Sequence, residues 1–552
     1  MGARRTSGTG RAGRGRAALG GLFVVMALVA GACSSSSSSS AGGGTTAATA
    51  SQTPVDGGSI VIGVTTETGG WNPHYTPPAE SASFILSSML EPLATTGEDL
   101  SAQPFLATAW VANDTFDRWT VTLRQDVTFQ NGEKFDAAAA KGSIDDGING
   151  AVSGQAVKGL FKGVSVVDDH TLLIELTQPW AAFPNSFLDS QIPVMMAPAS
   201  LAQPDHGTTH PIGTGPFVFD SWEPGTSIKV KKNPSYWQTG QPHLDRIEFK
   251  VIPDGASRSA ALQTGDLNMM LTTNPKDATS LDGQYQVIKA WKTEPEMIAT
   301  NTTPKLGDKT NPLANVHARK ALAYATDRHA VAALVGEGVD SPTSPFSPDS
   351  PWGRPEDQNG YPEHDVDKAR SEVAAYLQDT GESSLHVTLT CSGDVDTTRI
   401  AQLVQGQWQE AGITVDIEPV EASALIGRLI TGNYEASILQ IYNAPDPDQL
   451  HYFWSAATIS GYGGININLT QYSNPQMEAA IEVGRVSGDT AKRKAAYDQV
   501  VDQLNSAATN IWLYWNPFSL VADNNIHGLE GARAVPFPYS NPKTWFGELW
   551  KG

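Results

Sequence analysis

The rhythm of polar and apolar positions changes along the chain. From Gly57 the apolar residues alternate, the period of a half-buried strand. "GSIVIGV" predicts a first strand, and "RWTVTLRQDVTFQNGEKF" predicts two strands about an Asn131-Gly132 turn. "VSVVDDHTLLIEL" predicts a hairpin turning at Asp168-Asp169, "FVFDSWEPGTSIKVKK" another at Glu223-Pro224-Gly225, and "LDRIEFKVI" one more strand. After residue 310 the spacing becomes helical: "ANVHARKALAYATDRHAVAALVG" sets Val316, Leu322, Ala323, Val331 and Leu334 at helical intervals. "DTTRIAQLVQGQWQEAGITVDIEPV" reads as a helix stopped at Gly412 and then a strand. "NPQMEAAIEVGR" and "TAKRKAAYDQVVDQLNSAA" are helices ahead of the strand "NIWLYW". Strands alternating with helices predict an α/β body, richer in β structure in its first half.

The first 56 residues carry neither rhythm. "MGARRTSGTGRAGRGR" is basic, and the apolar run Ala17–Ala30 is 14 residues long. That is short for a bilayer span and suits the middle of a signal peptide. Cys33 follows Ala30, Gly31 and Ala32, a pattern that resembles a bacterial lipobox and implies a thiol acylated after cleavage, with Ala30 where Leu or Val is commoner. The alternative is plain secretion with cleavage nearby. Arg4-Arg5 lack the apolar residues that follow a twin-arginine signal, and "GTGRAG" (Gly8–Gly13) has no strand before it, so neither carries function. Residues 1–32 are therefore expected to be the signal peptide, and 33–56, rich in Ser, Gly and Thr, a flexible tether.

At 552 residues the chain needs two to four lobes to bury its apolar surface. The formal charge is −21, and the first 32 residues hold five arginines and no acid, so the body is more acidic still. Such a body repels nucleic acid and anionic lipid. Only Cys33 and Cys391 exist; with Cys33 in the export signal, the body folds without a disulfide, and Cys391 reads as a small core residue. No G-x-S-x-G, H-E-x-x-H, C-x-x-C or phosphate-cradling loop occurs. His206 and His210 are four apart, but Gly and Pro in "HGTTHPIG" make this a loop rather than a chelating helix. "DPDQLH" lacks the Gly and terminal Glu of a calcium loop. Asp446 and Asp448 in "NAPDPDQ" could pair as acid and base, so hydrolysis stays open on residues alone, with nothing favouring it.

Seven stretches in register carry a resemblance. "PIGTGPFVF" (Pro211–Phe219), "NPSYW" (Asn233–Trp237), "LDRIEFKVIPD" (Leu244–Asp254), "ALQTGDLN" (Ala261–Asn268) and "NPLANVHARKALAYATDR" (Asn311–Arg328) are followed by "QGQWQEAGITVDI" and the Pro-Asp-Pro segment. Together they resemble the bacterial extracellular solute-binding proteins of family 5, the peptide and nickel receptors of ABC importers. Locally, "GTGPF" and "NPSYW" read as architectural turns, and Asp327-Arg328 as a cap or an ion pair between lobes. The resemblance implies a two-lobed, type II periplasmic-binding-protein-like α/β fold with an extra domain inserted in the first lobe. Lobe I would take 57–105, 212–292 and 512–552, the inserted domain 106–211, and lobe II 293–511. The chain would cross between lobes near "AWKTEPEMIATN" and near "NIWLYW". The implied protein is no enzyme and needs no cofactor or metal. It is a monomer outside the cytoplasmic membrane, held by its lipid, that meets a small solute and the permease subunits.

The resemblance also points at ligand residues. In peptide-binding members an acid before the Pro-Asp-Pro segment pairs with the peptide ammonium; here that position is Asn443, so Asp446 or Glu296 would have to supply the charge. Expected ligand contacts are Trp71 and Asn72 after the first strand, Tyr442, Asn443, Asp446 and Trp454 in the Pro-Asp-Pro segment, and Tyr462 in the Gly-rich "GYGGININ". An oligopeptide-class solute is the family default. A neutral oligosaccharide or glycoside would suit Asn443 and the aromatic rings, and a nickel chelate fits least, since no histidine lies in a ligand motif. A surface sensor without transport is a further reading.

Overall fold

The computed structural model describes residues 53–76, 80–97, 99–150, 153–441, 444–530 and 545–552. Cys33, the signal segment, Tyr442 and Asn443 lie outside the described residues. Three sheets organise the body. The first runs in the order Gln286–Ala290, Phe518–Ala522, Met269–Thr272, Ser59–Val64, Arg246–Val251, Ser227–Lys232, Phe217–Glu223. Ser59–Val64 is parallel to both of its neighbours, and the remaining pairs are antiparallel. The second runs Thr414–Val420, His386–Ser392, Ala436–Gln440, Pro295–Thr300, Asn510–Trp515, with the first three strands parallel. The third is a four-stranded antiparallel sheet in the order Ala107–Ala112, Arg118–Leu123, Thr171–Leu176, Phe161–Asp168.

Each sheet owns a core. Ile60, Ile62, Phe84, Phe249 and Leu520 fill the first, Trp119, Val121, Ile174 and Phe183 the third, and Ile298, Leu389, Val404, Trp408 and Ile511 the second. Cys391 belongs to this last core, fully buried, and burial pushes its thiol up to about 11, which keeps it inert.

The turn chemistry read from the chain explains most boundaries. The hairpin at 223–227 turns through Gly225 at φ +73°, and the helix Val395–Glu410 gives way at Gly412, φ +86°, to Thr414–Val420. Two expectations change. The second strand expected in "VTFQNGEKF" shrinks to a single bridge, Thr128 to Lys134, because Gln130 turns away to bind the Met89, Gly215 and Phe217 carbonyls. The helical stretch after Asn315 splits into Val316–Ala325 and Arg328–Val335, since Asp327 caps the second piece by accepting from the Ala330 N–H. Arg328 donates to the Pro342 carbonyl and reaches Glu363, both within the second lobe, so the pair does not bridge lobes.

The motifs "GTGPF" and "NPSYW" meet at one buried carboxylate. Glu91 accepts from Thr214 Oγ1 (2.7 Å), Tyr236 OH (2.7 Å) and Trp237 Nε1 (3.0 Å). Gly213 and Gly215 press on the Met89 backbone, where a Cβ would stand 2.3 and 2.7 Å from its carbonyl oxygen. Both motifs are therefore joints of the first lobe.

Candidate functional site

The register of the strands locates the cleft. In the first sheet the carboxyl end of Met269–Thr272 lies opposite Ser519, and Ala290 lies opposite Phe518, so the chain leaves this sheet at the carboxyl edge of its parallel strands. In the second sheet Pro295 pairs with Trp515 and Glu296 with Gln440, the last residue of a parallel strand. The two crossings, between Ala290 and Pro295 and between Trp515 and Phe518, thus join two carboxyl edges that face each other. Ligands of open α/β sheets bind at such edges, where loops and helix N-termini converge.

The first-lobe wall is the loop after Ser59–Val64. Trp71 is fully buried, edge-on to Trp222 at 5.6 Å between ring centroids, and its indole N–H has no acceptor among the described residues. Asn72 spends its amide on the loop itself: Nδ2 donates to the His206 carbonyl (2.7 Å) and Oδ1 accepts from the His74 N–H (2.9 Å). His74, Tyr75 and His206 converge on Asp146 at 2.8, 2.9 and 3.1 Å, tying the loop to the inserted domain. Burial pushes Asp146 up, but its bond to His74 and the further contacts with His74, Tyr75 and His206 prevail and hold it below the usual carboxylate range. Tyr75 and His206 also line a surface hollow of 810 Å³ together with Asp136, Asp145 and Asp146.

The second-lobe wall begins at Gln440. Beyond the undescribed Tyr442 and Asn443, the Pro-Asp-Pro segment turns into a short 3-10 helix, Pro447–Phe453, capped by Asp446, which accepts from the Asp448 N–H at 2.9 Å. Both Asp446 oxygens bind Arg493, at 2.9 and 2.5 Å, with the carboxylate fully buried. Asp448, equally buried, accepts from Arg485 Nε (3.2 Å), Trp180 Nε1 (2.5 Å) and Tyr497 OH (3.4 Å). Burial alone would raise Asp448, but Arg485 and the neighbouring positive charge outweigh it and hold the acid near about 2. His451 is driven down to about 4, first by burial and then by Arg485, so it stays neutral. The Trp180 contact comes from the inserted domain. Ala181 N–H reinforces it by donating to the Arg485 carbonyl (2.9 Å), as does Gln449 Nε2 to the Asp189 carbonyl (3.1 Å). This half of the segment bolts the second lobe to the inserted domain.

Matching the chain against known families gives the description bacterial extracellular solute-binding proteins, family 5, over residues 101–462. The chain belongs to that family. It is similar to the glutathione-binding protein GsiB of Salmonella paratyphi A, at 27% identity over 439 residues, 76% of this chain and 81% of that one. Among solved structures it is similar to the PBP AgaA in complex with agropinic acid from A. tumefacien R10 (TM-score 0.78, 21% identity, covering 90% and 99% of the two chains). It is also similar to the oligopeptide-binding protein AppA of Bacillus subtilis in complex with a nonapeptide (TM-score 0.76, 22% identity, 91% and 100%). The family 5 fold is the two-lobed type II arrangement, and this chain is a solute-binding protein of the kind that serves ABC importers, not an enzyme. No helix among the described residues is long and apolar enough to cross a membrane.

The remaining expected residues divide by place. Trp454 is buried against Phe346 (5.8 Å, edge-on) within a core cluster. Tyr462 is 45% exposed and lies over Gly307 and beside Asn433, which precedes Ala436–Gln440. That is the amino edge of the strand, opposite the one carrying Gln440, so Tyr462 does not join the cleft cluster. What the cleft edge does carry, beyond the residues singled out from the motifs, is a polar set on one face of the second sheet. Gln440 Nε2 donates to Glu294, Asn516 N–H donates to the Glu294 carbonyl (2.8 Å), and Asn516 Nδ2 donates to Glu296 Oε2 (3.2 Å).

Proposed function

We propose that this family 5 protein is a lipid-anchored receptor that captures an oligopeptide-class or similar polar solute in the cleft between its lobes and passes it to membrane permease subunits. The observation that carries the reading is the pair of opposed carboxyl edges joined by two crossings, with Trp71 on one side and the Glu294, Glu296, Gln440 and Asn516 set on the other. Two crossings act as hinges, so bound solute favours the closed arrangement by its differential contacts. Trp71 and the Asn72-braced loop form the first wall, and Asp446 supports the second from behind. Cys33 carries the lipid, on the outer face of the cytoplasmic membrane, and the body acts as a monomer.

A second reading, an oligosaccharide or glycoside, is favoured by Asn443, which brings no charge where peptide-binding members carry an acid. The test is native mass spectrometry of protein taken from its own host, followed by a thermal-shift panel of tri- to pentapeptides and oligosaccharides. A co-purified peptide and peptide-specific shifts support the first reading. Shifts from sugars alone replace it with the second. Turnover of any panel member would sink the receptor reading.

A further inference from the structure

We infer that Glu296 is the seat for a cationic group of the solute, a role that rests on the cleft being the solute site. Glu296 stands on Pro295–Thr300 at the crossing, opposite Gln440 and beside Tyr514. It is half-buried and keeps solvent-accessible surface at the crossing between the two sheets. One oxygen accepts from Asn516 Nδ2 at 3.2 Å, and no Lys, Arg or His among the described residues forms an ion pair with it.

The groups around it deepen the deficit. Asp394, which caps the helix Val395–Glu410, adds negative charge at Glu296, and Glu294 stands two residues away on the same strand face. Tyr514, on the neighbouring strand, lies within the field of Glu296, Asp394 and Asp396. Lys292, the nearest cation along the chain, is taken by Asp340 at 2.9 Å. A buried carboxylate without a counter-ion is costly, and Asp446 and Asp448 in the same lobe each have one. Burial drives Glu296 up to about 7, with Asp394 adding to the rise against the pull of Asn516, so the group sits at the threshold of ionisation near neutral pH. An ammonium or guanidinium entering the cleft would supply the missing charge and fix the carboxylate in its ionised form.

The test is isothermal titration calorimetry with trialanine, N-acetyl-trialanine and maltotriose on the wild type and Glu296→Gln. Trialanine should bind at least about tenfold tighter than its acetylated form, and the substitution should erase that preference. Trialanine affinity should rise about tenfold from pH 5.5 to 7.5 in the wild type and stay nearly flat in the variant, because ammonium binding requires the ionised acid. A preference that survives Glu296→Gln, or N-acetyl-trialanine or maltotriose binding as tightly as trialanine, would overturn the assignment and leave the receptor reading standing. A second measurement does not depend on the probes. Unliganded Glu296→Gln should melt a few degrees above the wild type at pH 7.5, with the gain shrinking at pH 5. A variant that melts lower at pH 7.5 would show that Glu296 serves the fold, and would overturn the assignment whatever binds. If this arm holds while all three probes stay silent, the Glu296 assignment gains support and the oligopeptide reading loses it.

Discussion

Two groups of acids lie at the second lobe's working edge, and they are treated in opposite ways. Asp446 and Asp448 are fully buried and each meets a guanidinium, Arg493 and Arg485, with Trp180 and Tyr497 completing the set around Asp448. Glu296 is half-buried and has only a carboxamide. The matched charges order the second-lobe segment that the inserted domain meets through Trp180 and Ala181; the unmatched acid stands on the strand at the crossing. Buried charge is tolerated when its partners are built in, guanidinium groups at Asp446 and Asp448 and a set of neutral donors at Glu91. The prolines and aspartates that draw the eye in the sequence are thus a clamp, and the plainer strand beside them holds the chemistry.

The comparison breaks most visibly at Arg493. Arg493→Met leaves the buried Asp446 carboxylate without its bidentate partner and should cost about 3–5 kcal/mol, read as a lowered denaturant midpoint. If the loss is below 1 kcal/mol, the pair is not the clamp described. Next, Trp180→Phe removes the indole donor to Asp448 while keeping an aromatic ring. It should cost about 1–3 kcal/mol, with faster proteolysis at the boundary between the inserted domain and the second lobe.

Glu296→Gln should act in the opposite direction. An acid raised in the folded state costs stability as pH climbs from its unfolded value of 4.5 towards about 7, and the cost is absent below 4.5. The variant should therefore gain about 1–2 kcal/mol at pH 7.5, after allowance for solvent reaching the carboxylate, and nothing at pH 4.5. Urea melts at the two pH values decide this. The smallest effect belongs to Tyr462→Ala. Its ring is 45% exposed at the far edge of the strand, so stability should stay within about 0.5 kcal/mol and solute affinity should not move. A lost affinity would bring that loop into the cleft after all.

The sequence announced the elements better than the partnerships. Alternation and turn residues were enough for the hairpins at 168–171 and 223–227, and for the helix–Gly412–strand unit, because these depend on neighbours in the chain. The clamp was not legible: Arg485 and Arg493 reach acids 37 and 47 positions away, and Trp180 reaches one 268 positions away. Glu91 was missed for the same reason, since its donors stand 123 to 146 residues along the chain. A period-two pattern tells which face a side chain takes, and Glu296 follows it without distinction. Only the pairing register places its end of the face at the crossing between the sheets.

The strand Phe518–Ala522 sits between Gln286–Ala290 and Met269–Thr272, inside the first sheet rather than at its rim. A chain delivered N-terminus first through a membrane therefore emerges with its first lobe unfinished, a gap held open in the sheet until residue 522 is out. The second lobe, whose strands run from 295 to 515, can be assembled earlier. Maturation ends with the lobe that began it, so a receptor truncated near its C-terminus would lose the wall made by its earliest residues.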